Sequence, residues 1–310
     1  VERFKNSLVG FSGKQETVNE IILFDTAAPP NSNKLHDKRV KVVVDDISNH
    51  DILSEIISGN SLSVFHLASV VSAEAESDFD LAMNVNINGG LNVLEACRQA
   101  PNCSRVVLSS SLAVFGGSNM PDVVTDNTKI TPMTTYGMTK LTNELLLSDY
   151  TRKGFIDGRG ARLPTVVIRP GKPNKAASGF ASGIFREPIA GKNYSVPVNR
   201  KTRMAITGYR NVIKGILKLH ETESNAIGDD RTINLPSISV TVDEMITALH
   251  RVVGNRKVGN ISESIDPKIQ KICDSWPGWC KANRAQSIGL PTDKSLDSII
   301  EEYIEDYANI

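Results

Sequence analysis

Short apolar runs alternate along the chain with stretches whose apolar positions recur at helical spacing. Glu20–Asp25 (EIILFD), Val40–Val44, Leu62–Leu67 (LSVFHL), Arg105–Ser109 (RVVLS) and Pro164–Ile168 are brief and rich in β-branched or bulky apolar residues. They predict buried strands of a parallel sheet. Between them, Asp51–Ser58, Asp78–Gln99 and Tyr136–Lys153 carry helical periodicity and predict crossover helices. The alternation fades near residue 170. Gly and Pro punctuate Pro170–Pro197, shorter elements follow, and a last helix is predicted over Asp293–Tyr307.

Strand–helix alternation of this kind predicts an α/β fold with a Rossmann-like, doubly wound parallel sheet. Ligands of such sheets bind beyond the carboxyl ends of the strands. Residues 1–168 read as the Rossmann-like domain. Residues 169–310 read as a smaller substrate-binding region that partly returns to it.

Composition narrows the classes of partner. Lys plus Arg and Asp plus Glu are 35 each, so the formal net charge is zero. A nucleic-acid or anionic membrane partner usually needs a basic excess, and none is expected here. No apolar run reaches the length of a membrane span, and VERFKNSLVG has no signal-peptide pattern, so a cytoplasmic protein is expected. Cys97, Cys103, Cys273 and Cys280 lack metal-ligand spacing and read as reduced thiols; no metal is expected.

Two motifs carry chemistry. In Tyr136-Gly-Met-Thr-Lys140 the phenol and the ammonium share one helix face, and a nearby cation favours phenolate. That suits Tyr136 to general-base work. Ser111 ends the run Ser109-Ser110-Ser111 after an apolar strand, 25 positions before Tyr136, where its hydroxyl can point at a reacting oxygen. Each motif alone is also compatible with an exposed Tyr and Lys on an ordinary helix, or with a strand end capped by small residues.

Taken together, Ser111-Leu-Ala-Val-Phe-Gly116, the spacing to Tyr136-x-x-x-Lys140 and His66-Leu67-Ala68 resemble the extended short-chain dehydrogenases and nucleotide-sugar epimerases. The resemblance implies a Ser–Tyr–Lys triad with an upstream asparagine and an NAD cofactor. Ser111 would then polarise the substrate oxygen, Tyr136 exchange its proton, and Lys140 hold the nicotinamide ribose and depress the tyrosine pKa. Asn86, in Asn84-Val-Asn86-Ile-Asn88-Gly89-Gly90, matches the family's asparagine and would share a proton relay with Lys140. A two-helix homodimer is common in that superfamily.

On the cofactor side, Asp25 ends the strand EIILFD, where a carboxylate accepts from ribose hydroxyls and repels a 2′-phosphate; this favours NAD over NADP. The resemblance further implies adenine contacts from Asp46 and Ile47 and a wall near the pyrophosphate from Leu67, Ala68 and Ser69. It implies nicotinamide packing by Pro164 and Thr165. The family's opening Gly-x-x-Gly-x-x-Gly turn is not among the 310 residues. Gly10-Phe-Ser-Gly13-Lys14 fits neither that fingerprint nor a P-loop and reads as a helix-to-strand loop, with Val1–Lys5 as the end of a first helix. Residues upstream of Val1 are expected to carry the turn; the alternative is a chain that cannot hold NAD.

Further segments, among them Val70–Asp80, Arg152–Arg159, Arg162–Asn174 and Phe180–Pro188, are similar to the D-erythronate dehydrogenase branch. That likeness implies oxidation of the 2-hydroxyl of a four-carbon sugar acid. The substrate carboxylate needs a cation: Arg203 is the first candidate, with Arg169 and Lys172 competing, and Ser72 is a candidate for substrate hydroxyls. A nucleotide-sugar epimerase or reductase, and a non-catalytic Rossmann-like binding protein, are the alternative readings.

Overall fold

The computed structural model describes residues 7–29, 37–173 and 175–308. Four parallel strands form the main sheet, in the spatial order Thr232–Asn234, Ile156–Leu163, Ser104–Ser111, Ser63–His66. The two central strands are eight residues each and almost wholly buried. They are termed below the serine strand (Ser104–Ser111) and the arginine strand (Ile156–Leu163). Their register sets Ser110 opposite Arg162 and Ser111 opposite Leu163.

Period-two alternation explains how the sheet is covered on both faces. Val106 and Leu108 of the serine strand face a layer containing Leu53, Leu94 and Leu147, whereas Val107 faces Val212, Ile216 and Leu219 of helix Tyr209–Glu221. Ile21–Asp25 and Val40–Val44 form a second parallel pair. Among the described residues no ladder joins this pair to the main sheet, yet Phe24 packs in the same core as Leu53 and Val106. A third sheet sets Arg203–Gly208 between Thr165–Val167, parallel, and Ile238–Thr241, antiparallel. Helices Phe180–Ile189, Val242–Val253 and Leu296–Tyr307 pack against it in the largest apolar cluster. Among the described residues no helix is long and apolar enough to cross a membrane.

The structure bears out four of the expected parallel strands, although Val40–Val44 is not buried, with Val42 and Val44 exposed, and it corrects the fifth. Pro164–Ile168 shrinks to Thr165–Val167 and belongs to the third sheet; the central place falls to Ile156–Leu163 (IDGRGARL). That strand has no β-branched run to announce it. Its glycines serve close approach instead: a Cβ on Gly158 would stand 2.5 Å from Thr151 Oγ1, and one on Gly160 2.6 Å from Thr232 Oγ1. The helix expected over Asp78–Gln99 runs without a break from Phe79 to Gln99 behind the N-cap Asp78, with Met83–Asn88 as a π-helical turn inside it. The last helix starts at Leu296, where the Ser295 hydroxyl accepts from Ser298 N.

Gly10–Lys14 is a hairpin turn and not a helix-to-strand loop, since Ser7–Val9 and Gln15–Thr17 pair antiparallel on either side. Gly13 sits at φ +75°, a left-handed conformation that glycine adopts without strain, and it closes the turn through Gly13 N to Gly10 O at 3.0 Å. The helix end expected at Val1–Lys5 lies outside the described residues.

Candidate active site

The helix Thr135–Arg152, termed the tyrosine helix, is aimed by its first turn. The Thr134 hydroxyl accepts from Gly137 N at 3.1 Å, and the Glu76 carboxylate accepts from Thr135 N at 2.6 Å. A Cβ on Gly137 would stand 2.2 Å from Ala113 O, so the glycine lets this turn lie directly on the end of the serine strand. The half-buried Tyr136 thereby borders the same cavity as Ser111. Lys140, buried one turn on, has its Nζ 5.5 Å from the Tyr136 ring centre and donates to Ser109 O at 2.9 Å.

Burial raises the Tyr136 pKa, while the Ser111 hydroxyl and the charge of Arg169 draw it down. Burial lowers Lys140 to about 8, against the opposing pull of Glu144. His66, at the end of its strand, is pushed down to about 3 by burial and by Lys140, so it is neutral. The site thus holds one poised phenol beside one desolvated ammonium.

Asn86 lies in the π-helical turn and is buried. Its Oδ1 accepts from Val70 N at 2.7 Å and from Ser69 Oγ at 3.1 Å; its Nδ2 donates to Thr139 Oγ1 at 3.1 Å. Its peptide carbonyl accepts from Asn143 Nδ2 at 2.8 Å. Asn86 therefore ties the loop after His66 to the tyrosine helix.

A cavity of about 160 Å³ opens at Ser111 and Tyr136. Ser72, Pro164, Thr165, Arg169 and Arg203 line it as well, so the expected substrate residues other than Lys172 border one space. Ser72 is not on a loop: it opens the short helix Ser72–Ser77, and its hydroxyl accepts from Ala177 N at 3.1 Å. Lys172 is exposed and does not border the cavity.

The two arginines differ sharply. Arg203 is half-exposed, stands 3.8 Å from a Glu244 oxygen and donates to Ser239 Oγ at 3.3 Å. Arg169 makes no ion pair among the described residues, and its buried Nε has no hydrogen-bond partner there. Burial and the neighbouring Arg186 both lower its pKa. Trp276, with a second buried and unpartnered donor at Nε1, lines the same cavity beside Cys273 and Met204. Sequence reasoning passed over Trp276. The available signal was the segment Asp274-Ser-Trp276-Pro-Gly-Trp279-Cys280, which holds both tryptophans of the chain.

On the cofactor side, Asp25 ends its strand with an exposed carboxylate, held loosely by Thr26 Oγ1 and Ala27 N at 3.3 Å each. Asp46 accepts from Ser48 N at 2.8 Å, and that amide lowers its pKa. Ile47 is buried where a Cβ on Gly89 would collide at 2.5 Å, which docks helix Gly89–Gln99 on this loop. Leu67 and Ala68 are exposed past their strand end, and Ser69 bonds to Asn86. An exposed carboxylate and exposed apolar side chains, each past the end of its strand, have the chemistry that the ribose and base of a dinucleotide need. The described residues include no Gly-rich turn for the pyrophosphate.

A parallel α/β sheet with this polar cluster at its carboxyl ends defines a Rossmann-like fold of the short-chain dehydrogenase type. The NAD dependent epimerase/dehydratase family matches residues 13–235. A D-erythronate dehydrogenase of Cupriavidus necator is 41% identical over 298 residues, covering 96% of this chain and 91% of that protein. One from Haemophilus influenzae is 38% identical, covering 93% and 90%. A crystal structure described as a nucleoside-diphosphate-sugar epimerase from Agrobacterium tumefaciens superposes with a TM-score of 0.86 at 36% identity, covering 94% of this chain and 86% of that one. The chain belongs to the NAD dependent epimerase/dehydratase family, and by that membership is an enzyme that works with a nicotinamide cofactor.

Proposed function

We propose that the protein is an NAD-dependent dehydrogenase that oxidises the 2-hydroxyl of D-erythronate or a closely similar four-carbon sugar acid. The dehydrogenase class rests on the family and on two relatives of that name at 41% and 38% identity. The substrate class rests on Arg169. A 2-hydroxy acid carries its carboxylate on the carbon being oxidised, so the cation that binds it must lie close to the base. Arg169 shares the cavity with Tyr136 and draws its pKa down, and among the described residues no carboxylate neutralises it. A guanidinium takes a carboxylate through two parallel hydrogen bonds. Arg203, already beside Glu244, ranks second.

The chemistry then assigns one task to each side chain. Tyr136 removes the proton of the 2-hydroxyl, and the Ser111 hydroxyl donates to the oxygen as charge develops on it. Lys140 supplies the positive charge that stabilises phenolate. Asn86, whose side chain and carbonyl are committed to Val70, Thr139 and Asn143, keeps these elements in place. A bound NAD supplies the hydride acceptor. The exposed Asp25 carboxylate favours NAD over NADP by repelling a 2′-phosphate. The exposed Leu145 on the tyrosine helix and Leu91 on the preceding helix support a homodimer through those two helices.

The likeness to the Agrobacterium structure favours a second reading, a nucleotide-sugar epimerase. Such a ligand brings a base and a diphosphate and needs a site of roughly 300 Å³ or more. The cavity here is about 160 Å³, which suits a four-carbon acid.

A substrate panel separates these readings. NAD and NADP are titrated into the full-length enzyme, and turnover is measured with D-erythronate, related C4 acids and UDP-sugars. The expected outcome is NAD-linked oxidation of the C4 acid and no 4-epimerisation. Turnover of UDP-sugars with silence on the acids would install the epimerase reading; silence on both would install the non-catalytic one.

A further inference from the structure

Below Lys140, the tyrosine helix buries an ionisable residue that the proposed chemistry does not use. Glu144 and Arg162 are 3% and 4% exposed. They form a two-bond fork, Arg162 Nε to Oε1 at 3.0 Å and Nη2 to Oε2 at 2.8 Å, and the Ser110 hydroxyl donates to the same carboxylate. Arg162 also lies over the Phe115 ring, 5.4 Å from its centre, and its Nη1 reaches Asn234 Oδ1 at 3.4 Å.

The placement is unusual in what it links. Ser110 and Arg162 face each other across the two central strands. Each immediately precedes a cavity residue, Ser111 on one strand and Leu163 on the other. Positions 136, 140 and 144 fall on one helix face at successive turns. One carboxylate therefore holds together the three elements that carry Ser111, Tyr136 and the cavity wall. Buried ion pairs contribute little net stability relative to well-packed apolar residues, so stability alone does not account for it.

We propose that Glu144, gripped by Arg162 and Ser110, is a positioning residue: it fixes the register of the tyrosine helix over the strand ends and keeps Lys140 cationic. The groups facing Lys140 are Tyr136 and Glu144 on its own helix and the neutral His66 at the end of strand Ser63–His66, with Arg162 behind Glu144. Burial already lowers Lys140 to about 8, and Glu144 works against that fall. Without the carboxylate, Lys140 gives up its proton at lower pH, and the Tyr136 phenol loses the cation that favours its ionised form. The inference rests on the proposed roles of Tyr136 and Lys140, but not on the choice of substrate.

The test uses the full chain and three variants: Glu144→Gln, the charge-neutral double variant Glu144→Gln/Arg162→Met, and Glu144→Asp. The Lys140 ammonium is read directly, without substrate, by NMR of its ε-carbon against the matching Lys140→Met protein. Its pKa is expected to fall below about 8 in both Gln-containing proteins, with partial return in Glu144→Asp. With D-erythronate and NAD, kcat should fall about tenfold or more, the pH above which kcat/KM declines should move downward with the ammonium, and the KM for NAD should stay within about twofold. If the single Gln variant does not fold, the double variant carries the test, because it leaves no unpaired buried charge. An unchanged Lys140 titration and kcat in the folded double variant would overturn the proposal. Failure of the wild type to oxidise D-erythronate overturns the substrate reading alone, since the Lys140 titration still decides the role of Glu144.

Discussion

The arginine strand buries a guanidinium toward each end, and the fold treats the two differently. Toward the amino end, Arg159 is fully buried and shares the Asp157 carboxylate with Arg105 and Arg231, at 2.9, 3.2 and 3.1 Å. Three cations face one carboxylate there. The remaining donors turn to peptide carbonyls: Arg105 to His220, Arg159 to Thr222, and Arg231 to Gly158 and Ser224. His220 and Thr222 lie at the carboxyl end of helix Tyr209–Glu221, the negative pole of its dipole. Toward the other end, Arg162 meets Glu144 one to one, and Arg169, which makes no ion pair among the described residues, stands at the cavity.

Both ends contain buried polar atoms without partners among the described residues: Arg159 Nε and His220 Nδ1 at the first, Arg169 Nε and Trp276 Nε1 at the second. Buried charge by itself is therefore no mark of function in this protein. What separates the ends is where the unspent bonding capacity lies. At the amino end it is packed inside the network; at the carboxyl end it belongs to residues that line a space able to take a ligand.

The contrast is broken most decisively by one substitution at each end. Tyr136→Phe should cut kcat about 10²- to 10⁴-fold and leave the thermal midpoint nearly unchanged. Asp157→Asn should do the reverse, costing about 3–5 kcal/mol of unfolding free energy by urea titration while kcat per folded molecule stays near wild type. Loss of turnover in folded Asp157→Asn protein would mean that the amino-end network also serves the chemistry.

A smaller effect sharpens the assignment at the cavity. Arg169→Leu should raise the KM for the sugar acid about 10- to 100-fold, as expected for loss of a charge-assisted contact, and spare NAD binding. Arg203→Leu should raise it less than about tenfold. Steady-state kinetics on the two variants decide the order, and the opposite ranking would return the carboxylate to Arg203.

The smallest effect is shared by both ends. His66, beside Lys140, and His220, beside Arg105 and Arg159, are each pushed down to about 3, first by burial and then by those cations. Unfolded histidine titrates near 6.5, so below that pH the unfolded chain binds more protons than the folded one. Their contribution to stability is complete above about pH 6.5 and is lost as pH falls toward about 3. Denaturant midpoints measured across that window should decline with falling pH, less steeply in His220→Asn than in wild type. A flat profile would mean that the histidines are not buried as described.

The local part of the site was legible in the chain. Ser111 follows an apolar strand, Tyr136 and Lys140 are one helical turn apart, and Asn86 sits in a recognisable run; each is set by spacing along one element. Four strands were legible for a similar local reason, since each is a short run rich in β-branched or bulky apolar residues. The arginine strand was not. Its glycines answer to Thr151 and Thr232, and its arginines to Asp157 and Glu144, so the pattern that makes it a strand is distributed over its neighbours.

The choice between Arg169 and Arg203 belongs to the same class. Along the sequence both are arginines of the region that follows the Rossmann-like half, and Arg203 stood as the first candidate. Only the folded chain brings Glu244 to Arg203 and leaves Arg169, at the cavity shared with Tyr136, without a carboxylate among the described residues. Sequence by itself determined which residues could do proton chemistry, because side-chain type and helical or strand spacing are properties of the chain. Tertiary structure decided which charges are already neutralised, because that depends on groups far apart in sequence meeting across a low-dielectric interior.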